Sequence, residues 1–167
     1  MIEIKSDVKV TFYQFAMFQE TFKEFYANPK VLLDSLSPKH NRDMIFKAGE
    51  GAGRSGSFFF FSFDRKFIIK TMTKDELDLI IRLMPHLKQH YKKNPKSLLS
   101  KIIGVFTVKS KRMQSVHIML MENVLRLKKP ENLKFIFDLK GSMVDRKVSG
   151  DTKPSTTLKD ENLLLTK

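Results

Sequence analysis

Apolar and polar residues recur along the chain with two periods, which predict where helices and strands lie. In residues 11–27, four phenylalanines recur at gaps of three and four, which places them on one face of a helix. They are Phe15, Phe18, Phe22 and Phe25. A second helix is predicted to begin at Thr73, because Thr73 and Glu76 have the spacing of a capping box and apolar residues follow at helical intervals. Pro85 is expected to end or kink that helix, and a basic helical segment, 86–93, follows it.

Several other segments have the β-branched, aromatic or alternating composition of strands. A glycine cluster separates the first two segments, a short turn precedes the third, and the fourth and fifth form a predicted hairpin. One long helix is inserted after the third strand, so the pattern is not an alternating βαβ arrangement. The sequence therefore predicts an α+β fold, with an antiparallel sheet, one long inserted helix and an N-terminal helix. The predicted strands are 43–48, 57–63, 66–71, 101–108, 115–121 and 134–139.

Composition narrows the classes of partner and the cellular compartment. The net charge of +13 favours an anionic partner, such as nucleic acid, an acidic membrane face or a polyphosphate. The absence of cysteine excludes disulfides and thiolate metal sites and favours a reducing compartment. No apolar run approaches the roughly 20 residues that span a bilayer. We therefore expect a cytoplasmic protein that visits a membrane surface.

The glycine cluster is the first candidate for chemistry. Residues 51–56 match the pattern G-x-G-x-x-G, and the residues after Gly56 favour a strand. In a dinucleotide-binding fold the last glycine opens a helix, whereas a glycine turn between two strands covers the nucleotide phosphates in kinases. Glycine suits this position because backbone N–H groups can then approach phosphate oxygens. Taken alone, the cluster fits an ordinary hairpin turn at least as well.

Lys70, 14 residues after Gly56, lies at the end of an apolar predicted strand. Burying an ammonium there is costly unless it meets a counter-charge. In a kinase that counter-charge comes from the α- and β-phosphates and from a helix carboxylate. Glu76 and Asp78 are both candidates for the carboxylate, although the capping box already gives Glu76 a role. A solvent-exposed lysine is the simpler alternative.

Asp138 and Lys140 are two residues apart on a predicted strand, so both point to the same face. An acid and a base beside Gly141 can frame a phosphate. An ion pair next to a turn explains the same pattern without a ligand.

Four segments together resemble motifs of the phosphatidylinositol phosphate kinases. The first resembles their G-x-S-G-S glycine loop and the second the strand that carries their nucleotide-binding lysine. The third is similar to their N-P-x-[ST]-L-L motif and the fourth to their D-L-K-G-S signature, with Leu158-Lys159-Asp160 in the family's order beyond it. The four segments are 53–58, 67–71, 94–99 and 138–142, and the resemblance extends over residues 40–165.

The resemblance implies an activity and a set of site residues. It implies ATP with Mg²⁺ and transfer of the γ-phosphoryl group to an inositol hydroxyl of a phosphoinositide. It further implies the 4-phosphate 5-kinase class and a peripheral protein on the cytosolic face of the plasma membrane. It places the glycine loop at the nucleotide phosphates and Lys70 at the α- and β-phosphates, with Glu76 as its ion-pair candidate. It places the hinge, the kinase segment that binds adenine, at the end of a strand. Lys70 and Lys140 are the expected catalytic residues. The expected contacts are Gly53, Ser55, Gly56 and Ser57 for the phosphates, Glu122, Asn123 and Val124 for the hinge, and Asp138, Lys140 and Arg146 for phosphate or headgroup.

The same resemblance implies a division of the chain. An N-terminal helical segment (1–39) would precede a kinase N-lobe-like, ATP-binding region (40–149), and a polar tail (150–167) would begin a second lobe. The catalytic and metal-binding aspartates of the family are expected downstream of D-L-K-G-S and beyond Lys167, so we expect a truncated chain without metal ligands. A non-catalytic basic module that binds phosphoinositide membranes or a partner is the alternative. Nucleic-acid binding rests on charge alone, because the usual modules are missing.

Overall fold

A computed structural model describes residues 2–5, 7–26, 28–42, 57–127, 129–150, 152–153 and 156–165, and the statements that follow concern these residues. The predicted strand 43–48 and the glycines of residues 49–56 lie outside them. The strands are β1 (Ile2–Lys5), β2 (Val8–Phe12), β3 (Phe59–Phe61), β4 (Phe67–Met72), β5 (Ile102–Ser110), β6 (Met113–Glu122), β7 (Ile136–Phe137) and β8 (Thr157–Leu158). The helices are α1 (Phe15–Phe25), α2 (Lys30–Ser35), α3 (Pro38–Asn41), α4 (Lys74–Lys93) and α5 (Asp160–Leu165), with a short 3₁₀ helix at Pro130–Asn132.

Six of the described strands form one antiparallel sheet in the order β1-β2-β5-β6-β4-β3. The predicted α+β class and its long inserted helix are confirmed, since α4 lies between β4 and β5 in the chain. Strand β4 lies inside the sheet, with Lys70 opposite Met119 of β6 on one side and opposite Phe59 of β3 on the other. Lys70 therefore stands on a strand that both neighbours hold in register.

Helix α4 covers one face of this sheet. Its side chains Leu77 and Met84 have no exposed surface, and they pack in one cluster with Met72, Val105 and Met119 of the strands. Burying a side chain of this size contributes about 1.5–3 kcal/mol, so this face fixes α4 on the sheet. Because side chains alternate along a strand, Lys70 lies on the same face as Met72, beside the start of α4.

The opposite face packs against α2 and one side of α1, while Phe18 of α1 joins the cluster beneath α4. Phe67, Ile103 and Leu120 of the sheet form a second buried cluster with Phe22 of α1, and α2 contributes Leu32 to its edge. The sheet is therefore covered on both faces, as a mixed helix–sheet domain requires.

Helix α4 continues through Pro85, where the sequence predicted an end or a kink. Proline has no backbone N–H, so the carbonyl of Ile81, four residues earlier, loses its helical partner. Gln14 replaces it, because its Nε2 donates to the Ile81 carbonyl at 2.8 Å. A side chain 67 residues away in sequence thus satisfies the acceptor that proline leaves, and α4 runs for 20 residues.

The N-terminal part of the chain holds more than the predicted helix. Residues 11 and 12, which the prediction placed in the helix, belong to strand β2, which pairs with β5 along its whole length. Helix α1 starts only at Phe15. The alternating polar and apolar residues of Val8–Phe12 are typical of a strand, and the predicted helix over 11–27 was wrong for residues 11 and 12.

Asp64 fixes the turn between β3 and β4. Its carboxylate accepts hydrogen bonds from Ser35 of α2 at 2.9 Å and from Ser62 at 2.8 Å, and it forms an ion pair with Lys66. Burial acts to raise the pKa of Asp64, but the hydrogen bonds from Lys66, Ser62 and Ser35 outweigh it and lower the pKa to about 2. The hairpin that carries Lys70 is therefore tied to α2 by an ionised carboxylate.

By its contacts the chain forms two compact units, Met1–Val124 and Leu125–Lys167. In the second unit β7 and β8 pair in parallel, and α5 follows directly. The predicted strand 134–139 is reduced to the two residues of β7. The predicted polar tail, 150–167, includes β8 and α5 among its described residues.

Candidate functional site

Lys70 and the start of α4 form one connected polar site. The Nζ atom of Lys70 lies 2.8 Å from Oε1 of Glu76. The other carboxylate oxygen of Glu76 accepts a hydrogen bond from the Thr73 N–H at 2.9 Å, while the Thr73 hydroxyl accepts from the Glu76 N–H at 3.2 Å. One carboxylate therefore completes the capping box with one oxygen and the ion pair with the other.

The structure separates the two carboxylates that the sequence offered to Lys70. Glu76 takes this role, and Asp78 instead pairs with Lys74 along the surface of α4. The hydrogen bond from Lys70, and after it the N–H of Thr73, lower the pKa of Glu76. Glu76 is therefore charged at neutral pH, and its charge holds the ammonium of Lys70 in place.

The Lys70 side chain is mostly shielded, with 18% of its surface exposed, whereas Glu76 is 35% exposed. The Phe59 ring lies 6.0 Å from Nζ and adds an apolar wall. An ammonium has three donors, so Lys70 can bind an anionic oxygen while it keeps its bond to Glu76. This donor set suits a nucleotide phosphate.

The chain that leaves the glycine cluster meets Lys70 directly. Gly53, Ser55 and Gly56 lie outside the described residues, but Ser57 is buried and Phe58 bonds to the residue after Lys70. The Phe58 carbonyl accepts from the Thr71 N–H at 3.0 Å, and the Phe58 N–H donates to the Thr71 hydroxyl at 2.9 Å. The segment therefore enters β3 beside the lysine.

The predicted hinge residues lie where β6 ends. The N–H of Glu122 donates to the Lys101 carbonyl at 2.9 Å, and the N–H of Asn123 donates to the Lys66 carbonyl at 2.8 Å. Both amides thus hold the end of the sheet together, and Asn123 is buried. Val124 is 52% exposed. Among the three, Val124 offers the most accessible surface to a ligand.

In the second unit, Arg146 joins two carboxylates. Its Nε lies 2.8 Å from Asp160, its terminal nitrogen lies 3.4 Å from Asp138, and the guanidinium side chain is only 9% exposed. Lys140, also predicted to face a phosphate, lies 3.5 Å from Asp138 and is 63% exposed. Of the three predicted residues, Arg146 is enclosed by carboxylates and Lys140 faces solvent.

Asp160 is a residue to which the sequence assigned no role. One of its oxygens accepts from the N–H groups of Lys140 and Gly141, at 3.0 and 2.8 Å, and the other binds Arg146. Gly141 has φ +68°, which a side chain would strain, so the backbone can turn both amides toward Asp160. The Arg146 guanidinium, followed by these two amides, lowers the pKa of Asp160 to about 2. The D-L-K-G-S segment is thus wrapped around one carboxylate, and we name Asp138, Lys140, Gly141, Arg146 and Asp160 the D-L-K-G-S cluster.

Two further properties hold for the described part of the chain. It contains no group of three or more histidine, aspartate and glutamate side chains placed to bind a metal ion. None of its helices has the length and apolar character needed to cross a bilayer.

Comparison with known proteins gives one consistent result. Residues 41–167 match the family model of phosphatidylinositol-4-phosphate 5-kinase. A probable phosphatidylinositol phosphate kinase of Dictyostelium discoideum is 44% identical over 110 residues, which are 65% of this chain and 15% of that protein. The phosphatidylinositol 4-phosphate 5-kinase its3 of Schizosaccharomyces pombe is 31% identical over 161 residues, or 95% of this chain and 21% of its own length.

A vertebrate relative matches in the same way. The phosphatidylinositol 4-phosphate 5-kinase type-1 beta of Gallus gallus is 38% identical over 116 residues, which are 67% of this chain and 21% of that protein. The chain thus spans about a fifth of the length of these relatives. Since the family model covers most of the chain, this protein belongs to the phosphatidylinositol-4-phosphate 5-kinase family.

Proposed function

We propose that this chain provides the ATP-binding part of a lipid kinase that phosphorylates the 5-hydroxyl of phosphatidylinositol 4-phosphate. The observation that carries the proposal is the shielded ion pair between Lys70 and Glu76, at the point where the segment leaving the glycine cluster enters the sheet. Family membership supports the use of ATP, and the names of the relatives support the 4-phosphate 5-kinase class.

The contribution of Lys70 is electrostatic. Phosphoryl transfer depends on positioning and on neutralising the charge of the phosphates, and ATP supplies the phosphoryl group. Lys70 binds oxygens of the α- and β-phosphates, and Glu76 keeps the ammonium charged and correctly oriented. The rigid strand β4 and the capped start of α4 hold the two side chains at 2.8 Å before the nucleotide arrives, so little ordering is required on binding.

Other residues complete the proposed site. Gly53, Ser55, Gly56 and Ser57 approach the phosphates through their backbone. Glu122, Asn123 and Val124 form the adenine end, with Val124 as its accessible member. In the second unit, the exposed ammonium of Lys140 is available to bind a phosphate or a lipid headgroup, while Arg146 acts through the D-L-K-G-S cluster. Mg²⁺ is expected to bind together with ATP, whose phosphate charge it would help to neutralise.

We also propose that the protein works on the cytosolic face of the plasma membrane, with a phosphoinositide as lipid partner. The tip of the β5–β6 hairpin carries Lys109, Lys111 and Arg112, all exposed, and Lys9 pairs with Lys109 on the neighbouring strand β2. Each basic residue near an anionic leaflet contributes about 1 kcal/mol to binding. The net charge of +13 acts in the same direction.

The test of the nucleotide site is thermal stabilisation by ATP. At about 100 times its Kd, ATP is expected to stabilise the chain by about 2.7 kcal/mol. Lys70→Ala should abolish this stabilisation. Lys74→Ala is the matched control, because Lys74 lies four residues after Lys70 and pairs with an aspartate on the exposed surface of α4. This variant should leave the stabilisation by ATP unchanged.

The outcomes distinguish the candidate functions. If the unaltered chain shows no stabilisation by ATP, or if Lys70→Ala retains it, the proposed nucleotide site is wrong. Binding to phosphoinositide vesicles with no ATP effect would indicate the non-catalytic basic module, which the exposed basic hairpin supports. Phosphorylation of phosphatidylinositol 4-phosphate by a kinase that contains this chain together with the catalytic aspartates, lost in Lys70→Ala, would support the complete proposal.

A further inference from the structure

A second site lies on the face of the sheet opposite to α4. A cavity of about 370 Å³ opens between the sheet and helices α1 and α2. Ile103 and Leu120 form part of its floor, and Phe22 and Leu32 form part of its walls. Volumes of about 300–1,000 Å³ with a mostly apolar lining are typical of small-molecule sites.

Gly104 gives this cavity its depth. It lies inside β5 opposite Leu120, where a β-branched residue would be favoured. A Cβ atom added at Gly104 would meet no described heavy atom within 4 Å. Its φ is not positive, so the backbone does not require glycine there. Glycine inside a strand marks a β-bulge or the close approach of a ligand, and Gly104 follows a register shift in β5 at Ile102. Whatever the bulge requires, the missing side chain leaves open space in the cavity floor.

The rim of the cavity is both apolar and cationic. Phe15 and Leu33 are 59% and 72% exposed, although both line the cavity. Lys23 also lines it and is exposed. Glu20, almost one turn earlier on α1, pairs with Lys88 of α4, and within the described residues Lys23 takes part in no ion pair. Lys88 first, and then Lys23, lower the pKa of Glu20, so two cations share one carboxylate and a net positive charge remains at the rim. An apolar cavity with a positive charge at its rim complements a molecule with an apolar chain and an anionic head.

We propose that this cavity binds a free single-chain anionic amphiphile, such as a long-chain carboxylate. The chain lies over Gly104 between α1 and α2, and the head group pairs with Lys23. This site is separate from Lys70 and Glu76, which lie on the other face of β4.

The direct test is titration calorimetry of the full chain with saturated carboxylates of increasing length, each below its micelle concentration. Each added methylene that is buried in the cavity is expected to increase affinity about fourfold. An affinity that does not rise with chain length, or a failure of dodecanoate to bind, overturns the proposal.

Two variants locate the site. Gly104→Val places a side chain in the cavity floor and should abolish dodecanoate binding while the strand remains favourable to valine. Leu33→Glu, on the exposed rim, should weaken dodecanoate binding at least about tenfold without disturbing the core. It therefore provides the test if Gly104→Val does not fold. Binding that is unchanged in Leu33→Glu overturns the proposal.

The head group is tested by charge. Lys23→Gln should weaken dodecanoate about fivefold and leave the neutral amphiphile dodecyl maltoside unchanged, whereas Lys92→Gln, an exposed lysine of α4, should change neither. Sedimentation of the same variants tests whether a second copy of this chain occupies the cavity instead. Self-association that Leu33→Glu removes, in a chain that does not bind dodecanoate, overturns the proposal. Because ATP is absent from these measurements, they stand or fall independently of the nucleotide site.

Discussion

Two charged sites in this chain differ in how completely carboxylates surround their cation. In the D-L-K-G-S cluster, Arg146 contacts two carboxylates, and its side chain and that of Asp160 are 9% and 11% exposed. At the start of α4, Lys70 contacts one carboxylate, and Glu76 is 35% exposed. At the first site, carboxylates of the chain pair with the cation on two sides. At the second site, the ammonium keeps donors that a ligand can use. The difference indicates that Arg146 stabilises a loop and that Lys70 can still bind a ligand.

The side-chain chemistry fits this division. The guanidinium of arginine presents a planar set of five donors that can hold two acceptors at once. Lysine presents a compact charge on a long chain, which can keep one carboxylate and accept another anion. Exchanging the cations, or removing their partners, should therefore affect the two sites differently.

The largest expected effect is on the ionisation of Asp160. The Arg146 guanidinium holds the pKa of Asp160 at about 2, below its ordinary 3.8. Stabilisation by this carboxylate is therefore fully present above about pH 4 and is lost as the pH falls through 2. In Arg146→Met the pKa should rise by at least about one unit, since the N–H groups of Lys140 and Gly141 still lower it in part.

This change is measured from the carboxyl carbon shift of Asp160 during a titration by NMR. Arg126→Met in the same unit is the control and should leave the titration of Asp160 unchanged. An unaltered pKa in Arg146→Met would mean that Arg146 does not hold Asp160.

The next effect concerns the loop itself. Asp160→Ala removes the acceptor for the amides of Lys140 and Gly141, so both should exchange with solvent at least about tenfold faster. Glu161→Ala removes the neighbouring carboxylate of α5 but keeps the backbone bond from its N–H to the Arg146 carbonyl. Its exchange rates at Lys140 and Gly141 should match those of the unaltered chain, and equal rates in both variants would contradict the proposed anchor.

A smaller effect is expected at the start of α4. Thr73→Ala removes the hydroxyl that accepts from the Glu76 N–H and should lower the free energy of unfolding by about 1 kcal/mol. Thr73→Ser keeps the acceptor and should recover most of this loss. Denaturant unfolding followed by circular dichroism measures both, and an equal loss in the two variants would show that the methyl group of Thr73, not its hydroxyl, stabilises the helix.

The two sites also differ in how far the sequence predicted them. The capping box was predictable because Thr73 and Glu76 are three residues apart, and local spacing fixes the geometry. The sequence offered two carboxylates for Lys70, and only packing of α4 on the sheet selects Glu76. The role of Asp160 was not predictable, because its contacts with Lys140 and Arg146 depend on the path of the intervening loop.

The fold shows the same limit. The α+β class and the inserted helix follow from periodicity, which is a local property. The continuation of α4 through Pro85 depends on Gln14, which folding alone brings to the Ile81 carbonyl. Strand β2 is a different case, because its alternating pattern is also local, but the phenylalanine spacing that follows it predicts a helix over the same residues 11 and 12.

The smallest expected effect tests whether Lys70 is free to serve a ligand. A double-mutant cycle with Lys70→Met and Glu76→Gln measures the coupling between the two side chains, and the same cycle with Lys74→Met and Asp78→Asn is its control. We expect about 0.5–1 kcal/mol for the first pair and at most about 0.5 kcal/mol for the second, because both remain partly in contact with solvent. A coupling of 3 kcal/mol or more at Lys70 would resemble a buried structural ion pair. The ammonium would then be committed to Glu76 as Arg146 is to Asp160, and a phosphate would have to compete with that bond instead of adding to it.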